Sequence, residues 1–173
     1  MKANVNLDEA ARVAAEADQA KAELVSPFLE AAALVLWQEC REQPVRGKVH
    51  RVRSPRTSDE VSALVALTGS VAGLVIYSMS SVTACALASK MMGEPVEELD
   101  PLAQSAIAEL ANVITGQASI LLEQAGYPSD ISPPVLLVGH GSSIATFNLT
   151  RVVVPLELSV GRFSIDVAIR ETT

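Results

Sequence analysis

A helix-length run that is apolar on most of its sides constrains this chain more than any other feature. Between Asp100-Pro101 and Gly126 the residues are largely Leu, Ile, Val and Ala. Asp at the N-cap accepts from an otherwise orphaned amide, and Pro at the first helical position loses an N–H that had no partner there. Gly126 and Pro128 end the run. An ordinary surface helix carries Lys and Glu on its outer face. Here the spacing Ser105-x3-Glu109-x2-Asn112-x3-Gly116 places a hydroxyl, a carboxylate, a carboxamide and a bare backbone within an arc of about 60°. The helix is therefore built to be covered except along one narrow polar stripe.

The rest of the chain supplies the cover. Residues 6–23 are Ala-rich with scattered charge, and Asn6 or Asp8 is placed to cap a helix. We read residues 1–23 as a peripheral helical extension and residues 24–173 as the main domain. Ser26-Pro27 has the form of a second helix start, after which Phe28, Ala31, Ala32, Val35 and Leu36 follow at helical spacing to about Gln43, with Pro44 blocking continuation. Trp37, Gln38 and Cys40 are expected to pack. From Val45 to Val52 the period changes to two, as in a half-exposed strand. Val61–Leu67 and Ala72–Met79 flank Thr68-Gly69-Ser70 as a hairpin. A small-residue helix is expected from Ser80 or Ser81 to Gly93.

Beyond the apolar helix, a Pro-rich loop through Pro128, Pro133 and Pro134 leads to strands at Val135–Val138, Ser143–Phe147, Arg151–Val160 and Arg162–Ile169, with turns at Gly139-His140-Gly141 and Gly161. Short connections between alternating strands predict an α+β domain, with a largely antiparallel sheet covered on one face by long helices. The two halves resemble each other. Each opens with a long helix and ends in a hairpin, and Ser26-x3-Glu30 echoes Ser105-x3-Glu109, but Ala33 stands where the second helix has Asn112.

Composition removes several classes of function. The 173 residues suit one domain, and with 49% hydrophobic but only 3% aromatic residues the core is aliphatic. A net charge of −7 and a pI near 4.8 argue against nucleic acid, which needs a basic patch. The one basic cluster, Arg46, Lys48, His50, Arg51, Arg53 and Arg56, reads as a solvated sheet face. Cys40 and Cys85 fit neither a disulfide framework nor a metal site and read as buried thiols; His50 and His140 lack ligand partners at motif spacing. The N-terminus has no apolar signal segment, and no run of 18 apolar residues is free of charge or Gly. The expectation is a cytoplasmic protein with no membrane span.

A carboxylate and an amide with no His or Cys at useful spacing make neither an activated nucleophile nor a metal centre. They suit positioning. An Asn side chain donates and accepts, so it can hold a water in line with a phosphorus atom, as a Gln amide does in GTPases. Glu109 would anchor a cationic group on the partner, and Gly116 would let the partner's backbone come close. Such a site needs the phosphoryl group and the metal to arrive with the other molecule.

The segment Ala106-Ile107-Ala108-Glu109-Leu110-Ala111-Asn112-Val113-Ile114-Thr115-Gly116-Gln117-Ala118 resembles the signature helix of the CheC/CheX/FliY group of chemotaxis phosphatases, Asp/Ser-x3-Glu-x2-Asn. The resemblance runs over about residues 24–170 and includes Phe28-Leu29-Glu30, the strand Gly73–Met79, the helix ending Met91-Met92-Gly93 and the last hairpin. One complete motif is present, as in the CheX branch. The resemblance implies a CheC-like fold and dephosphorylation of a CheY-like response regulator at its phosphoaspartate. Carried over by position, Glu109 salt-bridges the regulator's site lysine, Asn112 inserts and orients the water, and Ser105 is at most supportive. It also implies that the regulator supplies Mg²⁺, that this chain binds no cofactor of its own, and that the protein is a homodimer. Gln117 departs from relatives, which tend to have Asn there. Two other readings remain: a non-catalytic module that binds a response regulator, or a partner in the chemotaxis or flagellar-switch machinery, through the same surface; and a structural dimerisation domain, favoured if the stripe is occluded.

Overall fold

The computed structural model describes residues 7–57, 59–146 and 149–172. The chain opens with α1 (Leu7–Cys40), followed by β1 (Val45–Arg46), β2 (His50–Val52), β3 (Arg56–Thr57), β4 (Val61–Gly69) and β5 (Val71–Met79). Two helices come next, α2 (Ser81–Met92) and α3 (Pro101–Gln124). Five strands complete it: β6 (Ser129–Ile131), β7 (Val135–Val138), β8 (Ser143–Ile144), β9 (Arg151–Leu158) and β10 (Gly161–Glu171).

Both expected starts in the middle of the chain are present. Ser80 caps α2 by accepting from the Thr83 amide, and Gly93 closes it at φ 72°. Asp100 caps α3 by accepting from the Ala103 amide, with Pro101 in the first turn. The Ser26-Pro27 start is not a start. α1 runs through it, with Pro27 inside the helix. An interior proline costs about 3 kcal/mol, but Leu24 and Val25 before it and Phe28 after it are all buried. Each such side chain is worth about 1.5–3 kcal/mol, so burial on both sides of Pro27 outweighs the break. Asn6 lies outside the described residues.

The strands form one antiparallel sheet in the order β1-β9-β10-β5-β4-β6, with β2 also on β9 and β7 also on β4. The expected strand Val45–Val52 is split. Gly47 donates to the Pro155 carbonyl at 2.8 Å, and a Cβ at Gly47 would lie 2.9 Å from Pro155 Cγ; the chain bends around that proline and resumes pairing at His50. The Pro-rich loop holds an unforeseen strand, β6, paired with the end of β4 through Leu67 and Ile131. Of the expected strand 143–147, Ser143–Ile144 pairs with β3 as a separate ribbon, and Phe147 lies outside the described residues.

Alternation along the strands sorts the core. Val61, Ala63, Val65, Val75, Tyr77, Val154, Phe163 and Ile165 point to the helix side and are buried with Phe28, Val35, Ile107, Leu110 and Ile114. Ser62, Ile76, Ser78, Asp166 and Arg151 sit on the other face and are also buried. Segments flanking the β3–β8 ribbon lie over this second face: Ser54 gives its carbonyl to the Arg151 guanidinium at 2.9 Å, whose other nitrogen bonds Asp166.

The likeness of the two halves extends to topology. Each consists of a long helix, a two-piece edge strand, a ribbon strand and a hairpin, and exchanging the halves maps the sheet order onto itself. Shifting α1 by 79 residues superimposes buried positions on buried positions: Leu24 on Ala103, Phe28 on Ile107, Ala31 on Leu110, Ala32 on Ala111 and Val35 on Ile114. In that register Glu30 matches Glu109 and Ala33 matches Asn112.

Candidate active site

α3 places the stripe. Its inner side is fixed by Ile107, Leu110, Ile114, Ala118 and Leu122, all in the core. Thr115 turns inward, donating to the Ala111 carbonyl at 2.7 Å and meeting the Tyr77 hydroxyl at 2.8 Å. α3 is long and apolar enough to cross a membrane by length and composition, yet these contacts make it a core helix packed on α1, α2 and the sheet. With its inner side so fixed, the opposite stripe faces outward.

Glu109 is exposed and Asn112 is half-buried. On a helix, residues three apart have Cβ atoms about 5–6 Å from each other, so carboxylate and amide stand together. Glu109 is the one charge between Asp100 and Glu123. Neither Glu109 nor Asn112 has a side-chain hydrogen bond or ion pair among the described residues, so both are open to a partner. The stripe is not occluded within the chain; occlusion would have favoured the dimerisation-domain reading. Ser105 is exposed, and its hydroxyl donates to the Pro101 carbonyl one turn back at 2.9 Å. That bond spends its proton on the helix and leaves it a minor role. Gly116 is half-buried, with its carbonyl taken by the Ser119 hydroxyl at 2.9 Å.

Two flanking residues escaped the sequence reading. Leu102 and Ile120 are 61% and 48% exposed, seven residues before and eleven after Glu109. Those spacings return to the same side of the helix, so the polar pair has an exposed aliphatic residue at each end. The signal was available in the spacing, but an apolar residue in an apolar helix reads as core. The same holds on α1, where Trp37 and Gln38 are exposed rather than packed, Trp37 at 44% with the Arg41 guanidinium 5.6 Å from its ring. Cys40 is buried, and burial pushes its thiol up to about 11; Cys85 is only half-buried.

Other clusters are structural or solvated. Arg46, His50, Arg51 and Arg53 are exposed along the β1–β2 edge, as a solvated sheet face should be. Among the described residues, no group of three His, Cys, Asp or Glu is arranged to hold a metal ion. His140 lies 3.3 Å from Glu60, whose carboxylate also accepts the Ser81 amide at the start of α2. The Ser81 bond, then His140, hold Glu60 below the usual carboxylate range.

An antiparallel sheet with pseudo-repeated halves is crossed by a helix presenting Glu and Asn one turn apart, and this is the CheC/CheX-like fold of solved structures. The profile described as chemotaxis phosphatase CheX matches residues 61–157, which includes the whole stripe. The chain is 36% identical over 119 residues to a protein of Thermotoga maritima named CheY-P phosphatase CheX, covering 68% of this chain and 75% of that one. It belongs to the CheX family. A crystal structure of a CheX–CheY–BeF₃–Mg²⁺ complex from Borrelia burgdorferi matches with a TM-score of 0.72 and 29% identity, over 85% of this chain and 97% of that one. The chemotaxis protein CheX from Desulfovibrio desulfuricans has the same fold, with a TM-score of 0.77 at 24% identity, over 87% and 99% of the two chains.

Proposed function

We propose that this chain hydrolyses the aspartyl phosphate of a CheY-like response regulator. The observation that carries the proposal is the pairing of Glu109 and Asn112, free of partners and side by side on an immobilised helix, in a chain of the CheX family. Glu109 docks on a cation of the regulator beside its phosphoaspartate. Asn112 enters with it, its amide donating to or accepting from one water and holding it in line with phosphorus. Water attacks, the aspartate oxygen leaves, and aspartate and inorganic phosphate result without a covalent intermediate on this chain. This chain offers the site a single carboxylate, whereas Mg²⁺ is held by one or two carboxylates together with the phosphate itself; in this reading the metal arrives with the regulator and neutralises charge there.

The relative named CheY-P phosphatase and the CheX–CheY complex support this reading. We place the phosphatase unit at residues 24–173, with Leu24 the first buried side chain described and residues 1–23 an extension. We place the protein in the cytoplasm, where phosphorylated regulators act. We assign it a homodimeric state, for which the open sheet edges bearing exposed Val45, Val135 and Val138 offer a route.

The test is the lifetime of a phosphorylated regulator with and without the chain in catalytic amounts. Acceleration with turnover supports the proposal. Tight binding of the regulator with its lifetime unchanged overturns it in favour of a non-catalytic binding module.

A further inference from the structure

Every glycine but one has a reason inside the molecule: either a side chain there would collide with its surroundings, or the backbone holds a positive φ. Gly116 has neither. It lies mid-helix, and a Cβ would meet only Ile131 Cδ1 at 3.9 Å, an ordinary contact. Glycine weakens a helix interior relative to alanine, so nothing within the chain keeps this position small. What does so must approach from outside. Residue 116 lies one turn beyond Asn112, nearly in line with Glu109 along the helix.

The pseudo-repeat supplies a contrast. In the register that matches buried positions, Trp37 of α1 occupies the place of Gly116. It is exposed, with Arg41 over its ring. The two helices share the exposed glutamate and differ in the amide and in this position.

We propose that Gly116 is a steric gate, a specificity-determining position at which the regulator's main chain beside the phosphoaspartate packs against α3. Trp37 closes the corresponding face of α1 to the same partner. The inference rests on the phosphatase reading above and adds what decides which of two similar helices is used.

The test compares wild type with Gly116→Ala and Gly116→Trp in regulator dephosphorylation, in binding of the BeF₃⁻-activated regulator, and in thermal melting. Gly116→Ala should melt at or above wild type while its KM rises about tenfold with kcat little changed, because one methyl group obstructs docking and leaves the aligned water alone. Gly116→Trp should lose saturable binding; should it fail to fold, Gly116→Ala decides alone. Wild-type KM in Gly116→Ala, or a lower melting temperature for it, overturns the gate, the second by revealing an internal reason for glycine. These results leave the phosphatase reading intact so long as wild type shortens the phosphoaspartate lifetime. A wild type that does not shorten it removes both.

Discussion

The Tyr77 hydroxyl lies 2.8 Å from Thr115 Oγ1, joining the middle of the sheet to the back of the helix whose front carries Glu109 and Asn112. Both residues are fully buried, and burial pushes the Tyr77 phenol well above its ordinary range, so the pair is a neutral hydrogen bond at every working pH. Thr115 also holds the Ala111 carbonyl, and Asn112 is the next residue. The pair therefore ties the back of α3 to the sheet one residue away in sequence from the backbone of Asn112.

Tyr77→Phe removes this bond and leaves the ring against Phe163, 6.0 Å between centroids. Because Thr115 keeps its backbone partner, the loss should be about 1 kcal/mol. Urea unfolding monitored by circular dichroism should show that decrease with an unchanged slope.

A larger effect is expected at the second face of the sheet. Arg151 and Asp166 are 4% and 0% exposed and ion-paired. Asp166→Ala strands the guanidinium in the interior, which costs about 3–5 kcal/mol. Replacing both partners, as Arg151→Met with Asp166→Leu, should recover much of that. A double-mutant cycle by urea unfolding measures the coupling.

Acid sensitivity should concentrate at Glu42, which is 2% exposed. Burial alone would raise its pKa, but Lys90 at 2.6 Å and the Ser159 hydroxyl and amide outweigh it and lower the pKa below 4.5. A depressed carboxylate contributes its full stability above the unfolded value and loses it as pH falls through the folded one. Stability should therefore drop below about pH 4.5. Glu42→Gln should lower stability by about 1–3 kcal/mol at pH 7 and flatten the acid slope. Unfolding curves between pH 3 and 7 check both.

The parts that were legible in the sequence share a physical cause: they are governed by local rules. Ser80, Gly93, Asp100 and Pro101 mark helix ends through caps that involve neighbours only. The hairpin strands alternate because one face meets the helices. The Glu109–Asn112 stripe was readable because polar residues stand out on an apolar helix. What failed depends on distant partners. Ser26-Pro27 has the form of a start, and only the burial of Leu24 and Val25 against the core makes it helix interior. The split of Val45–Val52 is caused by Pro155, 108 residues beyond Gly47. Trp37 was read as packing because aromatic residues usually are, whereas the register of α1 turns it outward.

The proposed mechanism gives Glu109 the docking and Asn112 the alignment of water. The direct measurement is phosphoaspartate decay at saturating chain, paired with the affinity for the BeF₃⁻-activated regulator. Asn112→Ala should bind with near wild-type affinity and lose about 10²-fold or more in rate, the scale expected when an aligned nucleophile is released. Glu109→Ala should lose binding first. An Asn112→Ala chain that still accelerates decay at saturation, while Glu109→Ala abolishes it, would remove the water-aligning role from Asn112.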